Sequence, residues 1–300
     1  MANSLQFSGG RDRDGERSMA WRRQVLPGLI LFGASSYFLL PLLWLCIAST
    51  KSTGDLFTSS GLWFAGELHL LDNLRNVMTH ENGIFVRWMA NSMLYSAGGA
   101  GIAALLSGMT GYAIEHYRFR GRDTVFALVL GAILIPSTAL VLPLYLFMSS
   151  VGLTNTMWAV LLPSCVSPFG VYLARVFASA NVPVDLIEAA RIDGASDIKI
   201  FLRIALPLLT PSLVTIFLFQ FVAIWNNFFL ALVMLSDSHL YPVTLGLQAW
   251  STVTAHGSTD TFDAGLVITG ALVSIVPMIV GFVCLQRFWR SGLTSGAVKG

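Results

Sequence analysis

The stretch PVDLIEAARIDGASDIKIFLRIALP, residues 183–207, is a charged interruption between two long apolar runs. Pro183 suits the first turn of a helix, and Asp185 there complements the positive end of the helix dipole. Leu186–Asp193 has helix-forming composition, and Gly194 can adopt the left-handed conformation that closes a helix. Ser196 is a good N-cap for a second helix with Asp197 in its first turn. The spacing puts Ile198, Phe201, Leu202 and Leu206 on one side of that helix. Pro207 and Pro211 are expected to break the chain before the next apolar run. Glu188 and Arg191, three apart, can pair with each other. The reading is a short helix, a glycine turn and a second helix along a membrane surface. By itself it fits an interfacial helix pair as well as a docking element.

The rest of the chain explains why a membrane is invoked. Of 300 residues, 55% are hydrophobic and 11% charged, whereas a soluble domain carries about 25% charged residues. A span needs about 20 apolar residues, and six stretches supply them: Val25–Ser49, Met89–Glu115, Phe126–Met148, Met157–Phe177, Leu213–Met234 and Ala264–Leu285. With the N-terminus inside, 15 lysines and arginines fall on the cytoplasmic side and 3 outside, namely Lys51, Arg75 and Arg87. The positive-inside rule therefore puts both termini in the cytoplasm. The first apolar run is longer than a signal-peptide core and reads as an uncleaved helix. The domain plan is a flexible cytoplasmic tail over 1–24, a six-helix permease-like domain over 25–290 and a second tail over 291–300. The fold class is all-α, a polytopic membrane protein.

The connecting segments differ. Residues 51–88 form a long external loop, Val151–Asn155 a tight external turn and Tyr117–Asp123 a tight basic turn. Ser236–Asp263, with His239, His256, Asp260 and Asp263, reads as a third external loop of solvated residues without metal spacing. Cys46, Cys165 and Cys284 lie in apolar runs as small packing residues.

Several chemistries are excluded or disfavoured. No Gly-x-x-x-x-Gly-Lys-Ser/Thr phosphate loop occurs, so ATP would have to be held by other chains. No His-Glu-x-x-His or Gly-x-Ser-x-Gly constellation suggests an enzyme. The span interiors are nearly free of ionisable residues, which speaks against an ion-coupled secondary transporter. Ser164, Ser167, Gln220, Asn226 and Asn227 remain as uncharged hydrogen-bonding groups that suit a hydroxyl-rich neutral solute or bonds between helices. Ser96, Ala100, Ala104 and Gly108, four apart, form a flat packing stripe. Pro136, Pro143 and Pro163 are expected to kink the third and fourth spans.

The spacing Glu188-Ala189-Ala190, three residues, Gly194, nine residues, Ile204, one residue, Leu206-Pro207 resembles the EAA loop of binding-protein-dependent ABC importer permeases. Ser167-Pro-Phe-Gly170, Trp225-Asn-Asn-Phe228 and the tail from Gly292 to Gly300 are similar to the carbohydrate-uptake branch, especially the second permease of maltose-type and glycerol-phosphate-type systems. The resemblance implies a coupling helix in which Glu188, Ala189, Ala190, Asp193, Gly194, Ile204, Leu206 and Pro207 meet an ATPase. It implies a bacterial inner membrane, a second homologous permease, two cytoplasmic ATPase subunits carrying ATP and Mg, and an external solute-binding protein. No cofactor on this chain and no nucleic acid are expected. The solute implied is a sugar or polyol, with an amino-acid, peptide or phosphate-ester permease as the nearest rival. Relatives often carry an acidic residue where Asn227 stands.

Overall fold

The computed structural model describes residues 11–256 and 264–294, and among these every regular element is helical. Five stretches are long and apolar enough to cross a membrane, and a sixth follows if one sharply bent helix pair counts as a span. The backbone divides into two units, Met1–Leu70 and Leu71–Gly300.

The first unit holds α1 (Arg11–Ala48) and α2 (Thr53–Thr58). Helical backbone thus extends back to Arg11, into the segment read as a tail; residues 1–10 lie outside the described residues. The apolar part of α1, Pro27–Ala48, leaves Leu31, Phe32, Tyr37 and Phe38 exposed. Such a surface is stable against lipid or another apolar helix. After α1 the chain turns back on itself: the Nζ of buried Lys51 donates to the Ser59 hydroxyl and the Ser60 carbonyl.

The second unit begins one residue into α3 (Leu70–Thr79), which is followed by a 3-10 turn at His80–Gly83 and α4 (Ile84–Met93). A π turn at Leu94–Gly98 leads into α5 (Gly99–His116), so the second apolar stretch starts well before the expected Met89. Next come α6 (Arg122–Leu134) and α7 (Ser137–Ser150), bent by 105°. Pro136 causes the bend: its ring pushes the preceding residue out of helical geometry, and Ile135 has ψ 123°. Then follow α8 (Met157–Ser164), α9 (Pro168–Asn181), α10 (Val184–Ile192) and α11 (Asp197–Ile200). Pro163 stays inside α8, and the fourth span breaks later than expected, at Cys165–Ser167 before Pro168.

A π turn at Phe201–Ala205 joins α11 to α12 (Leu206–Trp225), and the apolar stretch runs unbroken from Asp197 to Trp225. The expected breaks at Pro207 and Pro211 are therefore absent. The Leu206 N–H reaches back five residues to the Phe201 carbonyl, and Pro207 then sits in the first turn of α12, where a missing N–H costs little. α13 (Phe228–Met234) is separated from α12 at Asn226–Asn227, so the fifth span lies nearer the 183–207 loop than the sequence suggested. The segment read as a third external loop contains α14 (Val243–His256), a 14-residue helix. His256 closes that helix, whereas Asp260 and Asp263 lie outside the described residues. The last helix is α15 (Ala264–Thr294).

The centre of this unit is α5 packed against α9 and α12. Ser96, Ala100, Ala104 and Gly108 are all buried, which is the stripe the four-residue spacing predicted. At Gly111, α5 meets the backbone of α9 directly: an added Cβ would lie 2.6 Å from both the Ala174 Cβ and the Arg175 backbone nitrogen. Small residues permit such backbone contact.

Candidate functional site

Residues 183–207 build a compact projection. Pro183, in extended geometry, precedes α10, and Asp185 occupies its first turn. Gly194 has φ 76°, and the Ala195 N–H bonds the Ala190 carbonyl at 3.0 Å, which is the six-to-one bond of a Schellman cap. Ser196 stands at the N-terminus of α11 with extended backbone.

One side-chain expectation is corrected. Arg191 pairs not with Glu188 but with Asp197, its Nη2 3.2 Å from Oδ1 across the glycine turn. Asp197 holds the Arg191 guanidinium above its ordinary pKa. Tyr117, at the end of α5, joins this pair: the Arg191 guanidinium lies 5.7 Å from its ring, and burial followed by the Asp197 carboxylate pushes its hydroxyl pKa up. The inward face of the second helix is Ile200, Ala205 and Leu209, which the one-sided spacing of Ile198, Phe201, Leu202 and Leu206 did not include. The π turn inserts an extra residue per turn and rotates the buried face. Ile192, Ile198 and Leu202 point outward, at 86%, 74% and 53% exposure. Beside them Glu188, Ala189, Asp193 and Gly194 are exposed, while Ala190 is buried and Ile204 and Leu206 are half-buried.

The five uncharged candidates within the bundle have definite partners. Pro168 has no N–H, so the Ser164 carbonyl loses its helical donor; the Gln220 side-chain amide supplies one at 3.1 Å. Ser164 Oγ donates to the Val160 carbonyl at 2.7 Å, and Ser167 caps α9 by accepting from the Gly170 N–H at 3.1 Å. Asn227 caps α13, its Oδ1 accepting from the Leu230 N–H at 3.2 Å. Asn226, exposed just past the end of α12, donates to the Val222 carbonyl at 2.8 Å. Thus Ser164, Ser167 and Gln220 form one group across α8, α9 and α12, while Asn226 and Asn227 mark the break beyond it.

The cap explains why an acidic residue suits position 227, since only an acceptor oxygen is needed. Asn227→Asp is therefore expected to keep wild-type thermal stability in detergent. Asn227→Leu should lose about 1 kcal/mol, read as a lower melting midpoint; equal midpoints for the two variants would contradict the cap.

Two features had no signal in the sequence. Arg175 Nε donates to Glu115 Oε2 at 3.0 Å, and its guanidinium stacks 3.9 Å from the Phe126 ring, so one ion pair does lie within the helices. The second is a clamp at the opposite end of α12. Arg87, Trp88, Asn91 and Tyr95, on one face of α4 and the following turn, donate to main-chain carbonyls of residues 238–241 at 2.8–3.0 Å. Ser92 on that face accepts from the Val243 N–H at 2.7 Å. From the α7–α8 turn, Asn155 Oδ1 accepts the N–H groups of Ser236 and Asp237, both at 2.9 Å.

Residues 102–290 match the family model described as the binding-protein-dependent transport system inner membrane component. The chain is 37% identical to the arabinooligosaccharides transport system permease protein of Halalkalibacterium halodurans, covering 87% of this chain and 91% of that protein. It is 27% identical to the lactose transport system permease protein of Rhizobium radiobacter, over 94% of this chain and 100% of that one. Its fold matches a chain from the crystal structure of a bacterial ABC transporter involved in the import of the acidic polysaccharide alginate, with TM-score 0.76 at 21% identity and coverage of 94% and 99%. A projecting helix pair continuous with an apolar span, and a family match over most of the chain, lead to one assignment: the protein belongs to the binding-protein-dependent transport system inner membrane components.

Proposed function

We propose that this chain is one permease subunit of an ATP-driven importer that carries a sugar or related polyol, mono- or oligosaccharide, by alternating access. The observation that carries the reading is the exposed helix–glycine–helix projection of α10 and α11, which runs without interruption into α12. A push on α10 is thereby delivered to a span and, through the packing of α12 on α5 and α9, to the centre of the bundle. Glu188, Ala189, Asp193 and Gly194 offer polar and small contacts to an ATPase cleft, with Ile192 and Ile198 as exposed apolar anchors. Ala190, Ile204, Leu206 and Pro207 hold the projection's shape.

In this reading the projection and both termini are cytoplasmic, supported by the 15-to-3 distribution of lysine and arginine. A second permease, two ATPase subunits holding ATP and Mg, and an external binding protein complete the assembly. The sugar assignment draws on the relatives, whose names specify arabinooligosaccharides and lactose. Asn226 and Gln220 offer amides to a hydroxyl-rich solute, and Ser164, Ser167 and Asn227 shape the backbone around them.

Affinity purification of the tagged chain from its own membranes tests the coupling. An ATPase subunit should co-purify with the wild type, and Glu188→Lys should reduce its recovery by about tenfold or more, as charge reversal at a contact does. Absence of an ATPase from the wild-type preparation, or full recovery with normal solute uptake in Glu188→Lys, would sink the reading.

A further inference from the structure

The turn between α5 and α6 borders a shallow, open depression of about 760 Å³ lined by Arg118, Phe119, Arg120, Arg122 and Asp123. Three guanidinium groups face one carboxylate, and that carboxylate sits 3.4 Å from Arg122 Nε. Arg118 and Arg120 are exposed and form no ion pair among the described residues. Arg175 and Arg191, by contrast, are paired with Glu115 and Asp197.

Position decides what the depression suits. The apolar stretch ending at His116 stops just before it, and the apolar helix α6 starts at Arg122. The turn therefore stands where hydrocarbon gives way to headgroups. Immediately along α6, Val125, Leu128 and Leu134 are exposed, and no residue of α6 is buried. A phosphate held by the arginines would have its acyl chains laid along this open apolar face. Basic pockets at helix ends meet anionic headgroups in this manner, each arginine contributing to the preference.

We infer that the Arg118–Arg122 turn is a binding site for the phosphate of an anionic phospholipid. The site depends only on the chain's membrane embedding and not on its solute or its ATPase.

The test uses the transporter, purified with whatever subunits accompany it, in nanodiscs of phosphatidylcholine with and without phosphatidylglycerol. Native mass spectrometry reads the lipids retained. The wild type should retain phosphatidylglycerol over phosphatidylcholine, and R118Q/R120Q should lose that preference by about tenfold. R203Q, an exposed arginine in the other loop, should leave it unchanged. Size-exclusion profiles report whether the variants stay folded, and R118K/R120K, which keeps both charges, should retain part of the preference. Equal retention by wild type and R118Q/R120Q would overturn the site. So would displacement of the lipid by millimolar inorganic phosphate alone, which would mark a free-anion site. Loss of a co-purifying subunit from R118Q/R120Q with lipid retention intact would assign the arginines to a protein contact instead.

Discussion

Gly111→Leu is expected to remove most of the protein from the membrane, to below about a tenth of the wild-type level, because misassembled chains are degraded. The cause is steric and backbone-deep. The first added carbon alone would sit 2.6 Å from the Arg175 nitrogen and 2.8 Å from the Ala174 carbonyl carbon, and neither can swing aside as a side chain would. α5 and α9 would have to separate. One turn further along, that separation would pull Glu115 from Arg175, now 3.0 Å apart, leaving two half-buried charges without each other. Gly111→Ala adds only the first carbon and should cost about 1–3 kcal/mol, giving intermediate accumulation. Immunoblots of membranes and thermal melts in detergent measure both variants. Wild-type level and melting midpoint in the leucine variant would mean that α5 and α9 are not in this contact.

Gly194→Pro is expected to act in the opposite way, leaving the chain in the membrane and abolishing its work. Gly194 itself is exposed, with open space where a Cβ would stand, while Ile187, Ala190 and Ile200 keep the helices on either side anchored against α5 and α9, so accumulation should stay near wild type. Proline cannot reach φ 76°, and it removes the N–H that now bonds the Arg191 carbonyl at 3.0 Å. The Ala190–Ala195 bond and the Arg191–Asp197 bridge both span this turn and would be lost with it. Uptake, assayed with whichever of the relatives' sugars the wild type carries, should drop to below about a tenth, with ATPase recovery falling alongside. Gly194→Asn is the control, since asparagine tolerates the left-handed region, and it should retain most uptake. Equal uptake by the proline variant and the wild type would show that the turn's shape is not needed.

The sequence was most legible where a local rule has one outcome. Gly194 closes α10 in the left-handed conformation, Pro183 precedes it, and the small-residue stripe of α5 is buried. Apolar length located the spans, because lipid admits few alternatives to a long helix. The misreadings have physical sources as well. A period of 3.6 residues grouped Ile198, Phe201, Leu202 and Leu206 on one side, but burial falls on Ile200, Ala205 and Leu209, a spacing that the π turn at Phe201–Ala205 makes possible. The same turn accommodates Pro207, which sequence rules treat as a stop. Arg191 chose Asp197 over Glu188 because the glycine turn folds α11 back towards α10, a proximity absent from linear spacing. The amide of Gln220 answers a carbonyl orphaned by a proline on another helix, and only the packing reveals that pairing.

The clamp at residues 236–243 separates address from content. Arg87, Trp88, Asn91, Ser92, Tyr95 and Asn155 all direct their hydrogen bonds to main-chain atoms of the strap, whose apolar Leu240, Tyr241 and Val243 pack inward while Ser236 and His239 stay exposed. Peptide groups are the same in every residue but proline, so the strap can be re-lettered at exposed positions such as Ser236 and His239 without loosening its hold. Mutational freedom should therefore be lopsided, wide on the strap and narrow on the helix that reads it. Substitutions there would change the surface around α14 while keeping one scaffold, and a fluorophore placed at Ser236 would report on a segment whose path is fixed by others.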